Sequence, residues 1–118
     1  MKDFRDLIVW QKAVLLFEQC VADTKNFPKT EAARVIINQI LRSVGSTSAN
    51  IAEGFGRRKG KEYEHYLYIA RGSINESLDW YEKLKRLKYI DEASFSERQG
   101  TCNEIRAMLT AMIDKVHV

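Results

Sequence analysis

The sequence predicts an all-α protein built as an antiparallel up-down-up-down four-helix bundle. Three observations predict it. Apolar residues recur at alternating steps of three and four almost from end to end, which is the period of one helix face. One proline and six glycines among 118 residues leave few backbone breaks, against an all-β architecture. The breaks that do occur divide the chain into four amphipathic segments joined by short connections, the pattern of a bundle.

The first segment carries Leu7, Trp10, Val14, Phe17 and Val21 on one line. It closes near Asn26-Phe27-Pro28, because proline disfavours helical backbone in the residue before it. The second begins shortly after Pro28, carries Ile37, Ile40, Val44, Thr47 and Ile51, and runs to about Gly54–Gly56. The third starts near Lys61 and carries Tyr63, Leu67, Ala70, Ile74 and Tyr81, widened by Leu78 and Leu84. It ends near Lys88, where cations suit the negative end of the helix dipole. Ser94-Phe95-Ser96-Glu97 then fits a capping box, and the fourth segment carries Phe95, Cys102, Ile105, Leu109, Met112 and Val116. Leu15, Leu16, Ile36, Trp80 and Met108 flank these lines. Apolar surface left over in a small bundle points to self-association.

The length is that of one domain, residues 1–118, with enough chain to bury a core without disulfides. The hydrophobic fraction of 45% and charged fraction of 30% are those of a globular protein. A net charge of +3 permits binding to nucleic acid or to an acidic surface without requiring it. Cys20 and Cys102 fall on apolar faces and read as buried free thiols in a reducing compartment. The N-terminus bears both signs of charge, and the apolar run Leu7 to Trp10 stops at Gln11-Lys12. That is neither a signal peptide nor a membrane span, so the expected location is the cytoplasm.

Small residues inside helices need a reason, since glycine costs about 1 kcal/mol against alanine there. Gly45, Ser46 and Ser48 in the second helix and Gly72 and Ser73 in the third lie at similar distances from the turn between them. Close approach of the two backbones at these positions is the expected compensation.

The stretch Asn50-Ile51-Ala52-Glu53-Gly54-Phe55-Gly56-Arg57-Arg58-Lys59-Gly60-Lys61 holds the most information. Its second half concentrates cations. Arg57, Arg58, Lys59 and Lys61, with Arg42 on the same side, are candidate phosphate contacts, which need no sequence code. Its first half holds Asn50 and Glu53 within an apolar pattern. If they face inward, Arg71 and Glu76 on the third helix are the available partners in a structural polar network. No nucleophile or second acid at a defined spacing accompanies Glu53, so no catalytic carboxylate is assigned.

Other constellations fail on spacing or context. Glu62-x-x-His65 has the spacing of di-iron bundles, and Asp114-x-x-His117 imitates it. His117 is the penultimate residue, however, and a helix's first turn welcomes acids such as Glu62 without any metal. Gly54, Gly56 and Gly60 lack the Gly-Lys-Ser/Thr and the preceding strand of a phosphate loop. Two histidines at such positions build no serine or cysteine triad. Tyr63, Tyr66, Tyr68, Trp80, Tyr81 and Tyr89 have the chemistry to stack on bases, but their helical spacing assigns most of them to core or interface.

Asp6-Leu7-Ile8-Val9-Trp10-Gln11-Lys12-Ala13, Phe27-Pro28 with Glu31, Gln39-Ile40-Leu41-Arg42-Ser43, Asn50-Ile51-Ala52-Glu53-Gly54 with the basic turn, and Ala70-Arg71-Gly72-Ser73 with Glu76 occur together. In that combination the chain resembles the four-helix-bundle family encoded in bacterial 23S rRNA intervening sequences, which carries the S23 ribosomal protein label. Gly45 departs from an expected alanine, and Asn75 and Ser77 make the third helix more polar. The resemblance implies a ring-like homopentamer. It also implies kinship with the accessory variability protein of diversity-generating retroelements, a basic pentamer that works with a reverse transcriptase and nucleic acid. It brings no established enzymatic activity and calls for no cofactor. The expectation is therefore a non-enzymatic homo-oligomer that associates with RNA or DNA, with a reverse transcriptase-like or other protein as a further partner. The alternative is a protein-interaction scaffold with no nucleic-acid role.

Overall fold

The computed structural model describes residues 3–57 and 60–117. A 3-10 turn, Phe4–Asp6, leads into α1 (Ile8–Thr24), α2 (Glu31–Arg57), α3 (Gly60–Arg86) and α4 (Glu92–Val116). Among the described residues there is no strand. Neighbouring helices run antiparallel, and side-chain contacts fix their register. Ser43 faces Ser77 and Ser46 faces Ser73 across α2 and α3, each pair of hydroxyls 3.0 Å apart. Arg71 reaches Thr110 and Arg106 reaches Asn75 across α3 and α4. Lys12 meets Glu104 and Asp23 meets Arg98 across α1 and α4. The bundle is 45 Å long, and a helix of 27 residues such as α2 or α3 spans about 40 Å of that at 1.5 Å per residue.

The helix ends follow from short polar side chains. Asp3 accepts the amide of Arg5 at 2.8 Å and opens the first turn. Thr30 Oγ1 accepts the amide of Ala33 at the start of α2. The end of α3 is a Schellman turn: the Tyr89 amide donates to Leu84 O at 2.9 Å and the Lys88 amide to Lys85 O at 3.0 Å. That geometry needs a left-handed residue, and Lys88 takes it with φ 62.

Two boundaries differ from the sequence reading. α4 begins at Glu92, because Asp91 caps it by accepting the Ser94 amide at 2.7 Å. The Ser94 box therefore lies inside the helix, and the Ser94 amide that Glu97 would have capped is already taken by the Asp91 carboxylate. α2 continues through Gly54 and Gly56 to Arg57. Gly54 does not end the helix, because its missing side chain serves packing instead. A Cβ there would sit 3.0 Å from the Cβ of Tyr66 on α3.

The core is one cluster along the bundle axis. On α2 the buried line is Ile40, Val44, Thr47 and Ile51, with Ile37 only half-buried. On α3 it is Leu67, Ala70, Ile74, Tyr81 and Leu84, and on α4 Phe95, Cys102, Ile105, Leu109 and Ile113. Tyr63, Leu78, Met112 and Val116 flank these lines half-buried. On α1 the buried line is Val9, Ala13, Leu16 and Cys20, displaced by one position from the line read in the sequence. α1 is apolar nearly all round, so its periodicity leaves the phase open.

Candidate nucleic-acid interface and its surroundings

The α2–α3 turn is the sequence's candidate site. Arg57 ends α2 with its guanidinium shared between two carboxylates, Glu53 at 3.2 Å and Glu62 at 3.6 Å. It also lies 5.5 Å from the centre of the Tyr66 ring. Tyr66, Glu62 and Glu53, in that order, push its proton affinity further up. Arg57 is therefore a clasp across the tip as well as a cation. Lys61 is exposed and has no ion-pair partner among the described residues. Arg58 and Lys59 lie outside the described residues. Arg42 is exposed in the middle of α2. At 1.5 Å per residue it lies about 22 Å along the axis from Arg57, so it does not join the turn.

The polar network expected from Asn50, Glu53, Arg71 and Glu76 does not form. Asn50 donates to Ser46 O at 2.8 Å and Ser46 Oγ at 3.0 Å on its own helix. It reaches α3 only through the Ser46–Ser73 hydroxyl pair. Glu53 faces solvent and pairs with Arg57 one turn on. Arg71 turns to α4, donating to Thr110 at 3.2 Å, and lies over the Tyr68 ring. Glu76 accepts from Trp80 Nε1 at 3.4 Å on the outer face of α3. Side-chain length and helix phase decide this: a glutamate pointing outward finds i+4 before it finds the next helix.

Close approach of α2 and α3 does occur, through the serine pairs and Gly54. Gly45 instead makes room for Phe17 of α1, whose ring would lie 3.3 Å from an added Cβ. A Cβ added at Gly72 would meet no other part of the described structure within 4 Å.

The bundle's buried ionic contact is at the other end, and sequence reasoning missed it. Asp23 at the end of α1 accepts from Arg98 of α4 through Nε at 2.9 Å and Nη2 at 3.0 Å. The fully buried Tyr81 of α3 donates to the same carboxylate at 2.9 Å. Arg98 and Asp23 side chains retain only 11% and 10% of their exposure. The Asp23 contact raises the guanidinium's proton affinity, and burial raises that of the Tyr81 hydroxyl. Cys20 lies one turn below Asp23, and burial pushes its thiol up to about 11; Cys102 is pushed up to about 12. Both are inert, unionised thiols at neutral pH. The signal available in the sequence was an aspartate near the end of the first helix and an arginine three residues after Phe95, neither in a recognisable spacing.

The same end carries the α1–α2 and α3–α4 loops, which meet through Phe27 and Tyr89, ring centres 5.3 Å apart. Lys25, Lys29 and Lys88 are exposed on these loops.

Apolar residues remain on two separate sides. α1 presents Ile8 at 58% and Leu15 at 52% exposure, two turns apart on one line. α3 presents Ile69, with Leu87 just beyond its end, and Val35 of α2 is also exposed. Leu16, expected on the flank, is fully buried, while Ile36, Trp80 and Met108 are half-buried. α1 and α3 each pack on α2 and α4, so they occupy diagonal corners.

Glu62, His65 and His117, which have the spacing of a metal site, make other contacts. Glu62 is engaged by Arg57, His65 lies against the Tyr66 ring, and His117 Nε2 is 2.5 Å from Glu64 Oε2. Among the described residues no three His, Cys, Asp or Glu side chains cluster to hold an ion. Among them, too, no helix is long and apolar enough to cross a membrane.

Comparison with known proteins gives a consistent picture. Residues 5–111 match the family described as 23S rRNA-intervening sequence protein. The fold is similar to the crystal structure of a protein with unknown function from the S23 ribosomal protein family of Bacteroides thetaiotaomicron. The two share 28% identity over 90% of this chain and 98% of that one, with a TM-score of 0.83. The search of curated proteins returned no match.

Proposed function

Since the chain belongs to the 23S rRNA-intervening sequence protein family, we propose that it is a non-enzymatic, self-associating protein that binds RNA or DNA through exposed cations. The α2–α3 turn is one contact. The observation that carries the reading is that Arg57 ends α2 and the exposed Lys61 stands in the first turn of α3, while the sequence between them adds Arg58 and Lys59. A tip of that kind presents charge to a phosphate backbone without a groove and without sequence readout. Self-association is supported by the apolar residues on diagonal helices. A closed ring of more than two subunits needs two different faces on each subunit, and Ile8 with Leu15 on one side and Ile69 with Leu87 on the other supply them. A homopentamer fits that requirement, and a ring multiplies the basic tips. A reverse transcriptase-like protein is the further partner in this reading, and the cytoplasm the compartment.

Binding to mixed-sequence RNA and DNA across a salt series tests the proposal. Affinity is expected to fall steeply with salt and to weaken in an Arg58→Ala/Lys59→Ala/Lys61→Ala variant. Binding indifferent to both would sink it. The same result, with apolar-face variants such as Leu15→Glu still blocking capture of a protein partner, would favour the scaffold reading, which the exposed apolar faces also serve.

A further inference from the structure

The loop end of the bundle holds cations that its carboxylates do not satisfy. Lys85 and Arg86 share one carboxylate, Glu82, at 3.7 and 3.0 Å. Lys83 pairs with Asp79, and Arg34 with Glu31. That leaves Lys25, Lys29 and Lys88 exposed and without ion-pair partners among the described residues. The Phe27–Tyr89 contact brings their two loops together.

Lys88 carries a second signal. Its φ of 62 is one that glycine adopts freely and a lysine does not. The Schellman turn it closes would form with less strain around glycine, so the backbone is not what calls for a lysine. A strained residue at the surface points to what its side chain does. Beside it lies an open cleft of about 460 Å³ bordered by Lys85, Lys88, Tyr89, Ile90, Asp91 and Glu92. Asp91 accepts the Ser94 amide and Glu92 stands in the first turn of α4; both keep their charge, so the cleft is mixed in sign and the basic character of this end rests on Lys25, Lys29 and Lys88.

We infer that Lys25, Lys29 and Lys88 form a second phosphate-contact surface for nucleic acid, at the end of the bundle opposite the α2–α3 turn. The inference rests on the nucleic-acid reading above and adds to it a location the sequence did not single out. With contacts at both ends of a bundle 45 Å long, one subunit meets backbone phosphates that are far apart. Retention should then depend on the length of the nucleic acid.

The test uses a short RNA duplex and a longer one of the same composition, titrated against the full chain over a salt series. A Lys25→Gln/Lys29→Gln/Lys88→Gly variant should bind more weakly. Its logarithmic salt slope should be shallower by about 3, roughly one unit for each phosphate contact removed. It should also lose the preference for the longer duplex. Lys88→Gly alone should weaken binding while raising the urea midpoint, two changes of opposite sign that misfolding does not produce. If the triple variant binds like the parent while the α2–α3 turn variant loses affinity, the second surface is refuted and the nucleic-acid reading survives. If the parent shows no salt-dependent binding to either duplex, both fall together.

Discussion

The turn end and the loop end of this bundle use charge in opposite ways. At the turn, Arg57 is divided between Glu53 and Glu62 in solvent, where such pairs contribute little. At the loops, Asp23 and Arg98 are almost fully withdrawn from water and tied to Tyr81, while unpaired lysines stand outside them. At one end α2 stops at Arg57 and α3 starts at Gly60, and among the described residues the ion pairs between them are exposed. The other must hold together three helices whose connections are longer. The lesson is that a dense run of charge in sequence and a buried charge in structure are different things. The conspicuous charges here lie at the surface, and the structural ones were inconspicuous.

The sharpest test of this contrast is to remove one cation. Arg98→Ala strands the Asp23 carboxylate in the interior and should lower the unfolding free energy by about 3–5 kcal/mol in urea titrations. Glu53→Ala should leave the midpoint unchanged. A comparable loss at Glu53 would mean that the turn end is also locked. Next in size is Gly54→Ala, which places a methyl against Tyr66 Cβ and should cost about 1–3 kcal/mol by overpacking. Gly72→Ala has open space on the outer face of α3 and should instead gain about 0.5–1 kcal/mol. Lys88→Gly should stabilise by about 1 kcal/mol by relieving the left-handed lysine. The smallest effect concerns acid. The Ser94 amide holds the Asp91 carboxyl below the usual carboxylate range. Its capping contribution is therefore complete at neutral pH and is lost as pH falls through that lowered value. Asp91→Asn, which caps without titrating, should flatten this part of the acid unfolding curve.

Legibility in the sequence followed the sharpness of the apolar stripe. α2 and α3 carry the most one-sided apolar patterns, so most of Ile40 to Ile51 and Leu67 to Leu84 could be placed in the core; on α4 Phe95, Cys102, Ile105 and Leu109 were placed too, although its stripe is weak. α1 could not be phased, because Trp10, Val14, Phe17 and Leu15 ring the helix that Val9, Ala13, Leu16 and Cys20 bury. Of the candidate site, the cations were legible as residues and their engagement was not. That Arg57 folds onto Glu53 and Glu62 depends on α2 continuing through both glycines to Arg57. Asn50 and Glu53 read as part of a structural polar network because they interrupt an apolar run. A helix exposes a residue on its outer face without changing the spacing of its neighbours, and burial of a polar group is decided by phase alone. The Asp23–Arg98 contact joins residues 75 apart in sequence, and no local pattern reports a pairing at that distance.

The two-residue connection between α2 and α3 also has a consequence for the order of folding. It places Ser46 opposite Ser73, 27 residues apart, and Ser43 opposite Ser77, 34 apart. The loop-closure entropy of that hairpin is the smallest in the molecule that joins two long helices. The α2–α3 hairpin should therefore be structured in the transition state, with α1 and α4 docking later. In chevron kinetics, Ser46→Ala should act chiefly by slowing folding, and Arg98→Ala chiefly by speeding unfolding. The buried ion pair is then the last contact made and the first released, so it sets how long the folded chain persists more than how fast it forms.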